Sequence, residues 1–190
     1  MVMFIKKTLK YTERDENKRK NYCEKLKAFN KEYIVYIDES GIAHNMINEY
    51  CWIKKGDKLI GERNGKARGR TSVIAALNND DINAPMTYQG TMNSEFFLAW
   101  IKKFLIPTLR KNQVVIMDNA AIHKNAEVKK LIESAGCHLL YLPPYSPDLN
   151  PIENYWAVMK KHIKKIRHHY QDITMAIETT LLTKKKWFYS

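Results

Sequence analysis

The chain of 190 residues is short of cysteine, of acid and of long apolar runs, and each shortage removes a class of protein. Cys23, Cys51 and Cys137 are odd in number, widely separated, and include no Cys-x-x-Cys pair. Neither a disulfide framework nor a structural zinc site is suggested, so the three read as reduced packing thiols. No stretch approaches the roughly 18 consecutive apolar residues of a spanning helix, and no membrane segment is predicted. The opening MVMFIKKTLK lacks both an apolar h-region and a small-residue cleavage site. The expectation is therefore a cytoplasmic protein. Internal repeats and low-complexity blocks are absent as well.

What remains is enough for one ordinary domain with a real core, since 45% of the residues are apolar. Against 20 acidic residues stand 32 basic ones, a net charge of +12 weighted toward the two ends. Such a balance favours a polyanionic partner, most often nucleic acid, held in a salt-dependent way.

Residues 1–32 carry dense mixed charge, and Tyr22, Leu26 and Phe29 fall at helical spacing, which predicts a charged helical lead-in. The run YIVYID at 33–38 has the pattern of a buried strand, with Glu39, Ser40 and Gly41 expected to end it. CWI, DKLIGE, TSVIAAL and APMTYQG look like antiparallel strands continuing the sheet. The basic link at 61–70 reads as an exposed hairpin in which Arg68 and Arg70 are candidate DNA contacts. Asn93 and Ser94 signal a helix over 93–110 with Phe96, Phe97, Trp100, Ile101, Phe104 and Leu105 as its apolar stripe. QVVIMDN then predicts a second buried strand from Gln113 to Asp118, followed by a helix near 125–134 and the strand CHLLYL. After a proline-rich loop come a helix from Pro151 to about 167 and another over 172–182. Strands in a run, then helix and strand in alternation, argue for an α/β fold with helices packed on a mixed sheet.

The loop and helix at 141–161, YLPPYSPDLNPIENYWAVMKK, place one carboxylate, Glu153, among cations. Asn150 is a favoured N-cap, Pro151 suits the first helical position, and Glu153 could reach back to the cap's backbone N–H. On the helix Glu153 shares a face with Trp156, Ala157, Lys160 and Lys164, while Ile152, Tyr155, Met159, Ile163 and Ile166 can pack inward. Two further acids, Asp38 and Asp118, close apolar strands. Each alone could serve a turn, Asp38 before ESG and Asp118 as an Asx turn. Burying acids side by side is costly unless something neutralises them, and a divalent metal with hard oxygen ligands is the usual solution. If the two strands are adjacent and parallel, about 5 Å apart, their aspartates come within metal-sharing distance.

IDESG around Asp38, MDNAAIHK around Asp118 and LPPYSPDLNPIENYW ending on Glu153 resemble the three signatures of the DDE transposases of the mariner-like superfamily, in its bacterial insertion-sequence branch. The 34 residues between Asp118 and Glu153 agree with that branch. The resemblance implies a ribonuclease-H-like domain, a mixed five-stranded sheet flanked by helices, over 33–168, with 169–190 as a C-terminal helix and basic tail. It implies that Asp38, Asp118 and Glu153 converge on two Mg²⁺ ions, for which Mn²⁺ can substitute. One ion would activate the attacking water or 3′-hydroxyl and the other stabilise the leaving oxygen. Asn119 and His123 match the second signature as auxiliaries, and Lys160 and Lys164 are candidate phosphate contacts. The implied partners are transposon-end and TA-containing target DNA, a second copy in the DNA complex, and a separate helix-turn-helix half, for which this chain leaves no room. A catalytically silent DNA-binding assembly protein and a ribonuclease-H-like nuclease are the alternatives.

Overall fold

In the computed structural model, which describes residues 11–45, 54, 56, 58 and 69–183, the centre of the sheet is strand β1 (Ile34–Ala43). On one side it pairs antiparallel with β2 (Arg70–Asn78), which pairs antiparallel with β3 (Asp81–Gln89). On the other side it pairs parallel with β4 (Val114–Met117), itself parallel to β5 (His138–Tyr141). The order is β3-β2-β1-β4-β5, a mixed five-stranded sheet. CWI and the basic link up to Arg68 lie outside the described residues, as does the terminal KKKWFYS, and of DKLIGE only Lys58 is described, in no regular element.

β1 corrects the expected strand end. It runs through Glu39, Ser40 and Gly41 because β2 bonds it along its length, from Val35 opposite Asn78 to Ala43 opposite Arg70. Ladder pairing overrides the weak strand propensity of glycine. Gly41 has its own reason to be there: a Cβ at that position would overlap the Arg70 guanidinium. Asp38 consequently sits in mid-strand.

Helices cover both faces. Val35, Ile37, Ile74, Ala76, Val115 and Met117 bury one face against α2 (Ser94–Trp100) and α3 (Ala126–Ser134). Ile42, Val73, Ala75 and Leu77 bury the other against α4 (Pro151–Ile166) and α5 (Ile173–Leu182). Beside α4, Ile34, Val114 and Ile116 receive Tyr22 of α1 (Glu16–Leu26). Because side chains alternate along a strand, Asp38 shares its face with Ile42, on the α4 side, and Glu39 points to the other.

The helix expected over 93–110 begins as read, with the Asn93 side chain accepting from the Phe96 N–H at 2.8 Å. Its α-helical part stops at Trp100; a π turn, Ile101–Leu105, and a 3-10 turn, Ile106–Thr108, follow. Pro107 has no N–H to continue the α-helical ladder. Phe97, Trp100, Ile101 and Leu105 are buried, whereas Phe96 and Phe104 are exposed, correcting two members of the expected stripe. Within α4, Ile152, Tyr155, Met159 and Ile163 are buried as expected and Ile166 is half-buried. Cys137 is buried and Cys23 half-buried, both free thiols; Cys51 is outside the described residues.

Candidate active site

The parallel register of β1 and β4 decides where the first two acids meet. Ile34 lies opposite Val114 and Tyr36 opposite Ile116, and the same offset sets Asp38 beside Asp118, the residue after β4. Glu153 comes from the first turn of α4, on the same face. All three line one cleft of about 520 Å³, whose remaining wall includes Asn119, Asn150, Tyr145 and three prolines of the loop.

Glu153 does not close a capping box. The Asn150 N–H donates to the Pro147 carbonyl at 2.9 Å, so the donor that Glu153 would have needed is already taken. The Asn150 side chain makes no cap bond either, and its Oδ1 is buried without a partner among the described residues. Glu153 is left exposed at the cleft, and among the described residues no side-chain hydrogen bond or ion pair holds it.

The two aspartates are held differently. Trp156, buried in α4, donates its Nε1–H to Asp38 Oδ2 at 3.1 Å. Burial, followed by the charges of Glu153 and Asp118, pushes the Asp38 carboxyl up to about 7. Asp118 is drawn below the usual carboxylate range, chiefly by His123, whose Nδ1 lies 2.5 Å from its Oδ1. The Ala120 N–H donates to the same oxygen at 2.8 Å, leaving Oδ2 available. His123 is 3% exposed and packs on the Phe97 ring at 4.5 Å. Burial alone would lower its pKa, yet Asp118 and Glu39 overcome it and raise the imidazole to about 9. Its Nε2 is 3.8 Å from Glu39 Oε1, too long for a hydrogen bond, so the contact with Glu39 is an ion pair across a gap. Glu39 in turn accepts from the Tyr88 hydroxyl.

Among the described residues, no three carboxylate, imidazole or thiol side chains close into a compact metal-holding cluster. Asp118 commits one oxygen to His123, and Glu153 remains exposed. The donor set still fits a hard cation: it is all oxygen, and the charges of Glu153 and Asp118, which add to burial in raising the Asp38 carboxyl, gather negative charge in one place.

The other expected residues fall into three places. The Asn119 amide donates to the Leu142 carbonyl, tying the end of β4 to the start of the loop. Lys160 is half-buried, and its pKa is lowered by burial against the opposing pull of Glu153 and Asp38; Lys164 is exposed. Arg70 lies against Gly41, and Arg68 is outside the described residues. Tyr11 at the cleft, and the Glu39–Tyr88 pair behind His123, were not anticipated. Glu39 was legible as the neighbour of Asp38, but its partners come from distant β3 and the loop after β4.

These shifts set a pH dependence for the metal-free protein. Asp38 has a folded pKa of about 7, above the ordinary 3.8 of an aspartate, so its contribution is fully present below 3.8 and lost as pH rises through 7. His123, at about 9 against 6.5, contributes below 6.5 and loses that contribution as pH rises through 9. Asp118, with its depressed value, acts oppositely and only in acid. Urea unfolding of the metal-free protein is expected to show stability falling from pH 5 to pH 9, and Asp38→Asn to flatten the first half of that decline. A profile unchanged by Asp38→Asn would contradict the assignment.

Residues 33–175 match the sequence profile of the DDE superfamily endonucleases. The transposable element Tc3 transposase of Caenorhabditis elegans is 35% identical over 72 residues, 38% of this chain and 20% of that protein. An uncharacterized Sinorhizobium fredii protein, y4pE/y4sA, is 37% identical over 62 residues, 32% of this chain and 44% of its own length. These matches therefore span less than half of the curated relatives. The crystal structure of the catalytic domain of Mos1 mariner transposase superposes with a TM-score of 0.58 at 17% identity, covering 96% of this chain and 89% of that one. The mariner Mos1 paired end complex with Mg gives 0.69 at 17% identity, over 100% of this chain and 61% of that one. The fold is thus the ribonuclease-H-like fold of those catalytic domains.

Proposed function

The chain belongs to the DDE superfamily of endonucleases, and on that premise we propose that it is the catalytic part of a DNA transposase that cuts phosphodiester bonds at transposon ends and joins them to target DNA. Asp38, Asp118 and Glu153 are its metal ligands. One observation carries the reading: acids from mid-β1, the end of β4 and the first turn of α4 line a single cleft. Two Mg²⁺ ions, or Mn²⁺ in their place, supply charge neutralisation at the phosphoryl oxygens and an activated water or 3′-hydroxyl when bound.

The chain's own residues prepare that site. Trp156 fixes Asp38 in one rotamer, and His123 with the Ala120 N–H fixes Asp118. Asn119 ties the loop to β4, so the start of α4 has a defined place from which Glu153 faces the cleft. Lys160 and Lys164 lie about two and three turns further along the same face, where a DNA backbone leaving the cleft would meet them. Arg70 extends this basic surface from the start of β2, close enough for its charge to act on Lys160, and Arg68, outside the described residues, is a further DNA contact of this reading. The natural partners are transposon ends and TA-containing target DNA, a second copy when two ends are paired, and a separate helix-turn-helix half that reads the ends. Among the described residues no helix is long and apolar enough to cross a membrane, and association with the nucleoid follows from DNA binding.

The test is Mg²⁺- or Mn²⁺-dependent cleavage of DNA carrying the element's terminal repeats, with and without a supplied helix-turn-helix half. Asp118→Ala is expected to lose it. Preference for an RNA–DNA hybrid over transposon ends would replace transposition by a general nuclease. No cleavage of any substrate, with DNA still bound, would favour a silent assembly protein. Lys160→Ala and Lys164→Ala are each expected to weaken DNA binding regardless of sequence and to reduce the salt slope by about 1. Fluorescence anisotropy across a salt series measures both.

A further inference from the structure

The loop that delivers Glu153 rests at three points on the segment before β1, which lies outside the matched residues 33–175. Arg19 of α1 donates from its two terminal guanidinium nitrogens to Asp148, 2.9 Å to Oδ1 and 2.7 Å to Oδ2, across 129 positions of sequence. Leu142 at the loop's start packs in one cluster with Tyr22 of α1, and Leu149 at its end packs against that cluster. The Tyr11 ring meets that of Tyr145 at 5.9 Å. Asp148 belongs to the 3-10 turn Pro147–Leu149, and Asn150 alone separates that turn from α4.

From these contacts we infer that α1 is a brace for the active site and that Arg19, through Asp148, is a positioning residue for Glu153. The inference rests on the reading of Glu153 as a metal ligand. The pair is well placed for the task. A bidentate guanidinium–carboxylate contact fixes orientation as well as distance, and the Arg19 side chain is only 15% exposed. Its aim is not global stability, since an ion pair with a 63% exposed carboxylate contributes little there. What it restrains is the turn whose backbone bonds, Leu149 N–H to Ser146 and Asn150 N–H to Pro147, set the first turn of α4. A shift of about 1 Å in a catalytic group can cost about a hundredfold in rate. Any event that displaces α1 therefore reaches Glu153 through the loop.

The experiment compares Arg19→Glu, Asp148→Arg and the double exchange in the full chain, with Lys20→Glu as a control of equal charge change on the exposed side of α1. Expected for each single variant is a loss of about tenfold or more in kcat for metal-dependent cleavage. KM should change no more than in Lys20→Glu, and the double exchange should recover most of kcat. Hydrogen exchange at the Leu149 and Asn150 amides should quicken in the single variants and slow again in the double. Singles with wild-type kcat and exchange, or a double exchange no better than the singles, would overturn the brace. If Glu153→Gln keeps full activity the metal-ligand reading fails, and exchange at those amides still decides whether α1 holds the loop.

Discussion

Glu153→Gln is expected to remove metal-dependent strand cleavage while leaving the protein as stable as before, or slightly more so. The loss should be on the order of ten-thousandfold or more, the scale on which removing a central catalytic group acts. Stability should not follow it down. The side chain is exposed, no hydrogen bond or ion pair holds it among the described residues, and the N–H it could have capped is bonded to Pro147. Its charge also works against the fold, since after burial it is the next cause of the raised Asp38 pKa. A capping carboxylate would behave in the opposite way, costing about 1 kcal/mol on replacement and leaving the chemistry alone. Cleavage rates beside urea unfolding of the same two proteins separate these outcomes.

Trp156→Ala should be the most damaging single change to the fold among residues that touch the site. The indole is 1% exposed, packs edge-on against Tyr155 at 5.5 Å, and belongs to the core between α4 and the sheet. Truncating such a side chain costs about 3–5 kcal/mol in lost burial and residual cavity. Against a typical total of about 5–15 kcal/mol, much of the stability would go. The indole N–H adds a second effect, because without it Asp38 keeps its burial and loses a donor. Trp156→Phe divides the two: it keeps most of the apolar volume, should cost about 1 kcal/mol for the missing hydrogen bond, and should push the Asp38 pKa higher still. Equilibrium urea unfolding of both variants, with pH titration of the phenylalanine form, distinguishes packing from the hydrogen bond.

Local signals carried most of the architecture. The Asn93 cap, the breadth of α4, and the two apolar strands leading to Asp38 and Asp118 depend on nearest neighbours, and all could be read from the chain. What depended on a partner elsewhere could not. β1 extends past its apparent end because β2 pairs with it, and the helix of Phe97 and Trp100 changes to a π turn ahead of Pro107. Glu153 suited a capping box in sequence, but the preceding 3-10 turn had already used the cap's N–H. His123 could be suspected from its place in the second signature; the pairing of Glu39 with Tyr88 behind it could not, since strand pairing assembles it. Arg19 and Asp148 offered no local hint of each other.

Anomalous diffraction at the manganese edge, from crystals of the protein grown with Mn²⁺, tests most directly whether the three acids are metal ligands. The expected map has manganese bonded to oxygens of Asp38 and Asp118, with Glu153 turned from its exposed position into the same coordination sphere. Manganese absent from that cleft at saturating concentration, with Glu153 still exposed and unliganded, would contradict it.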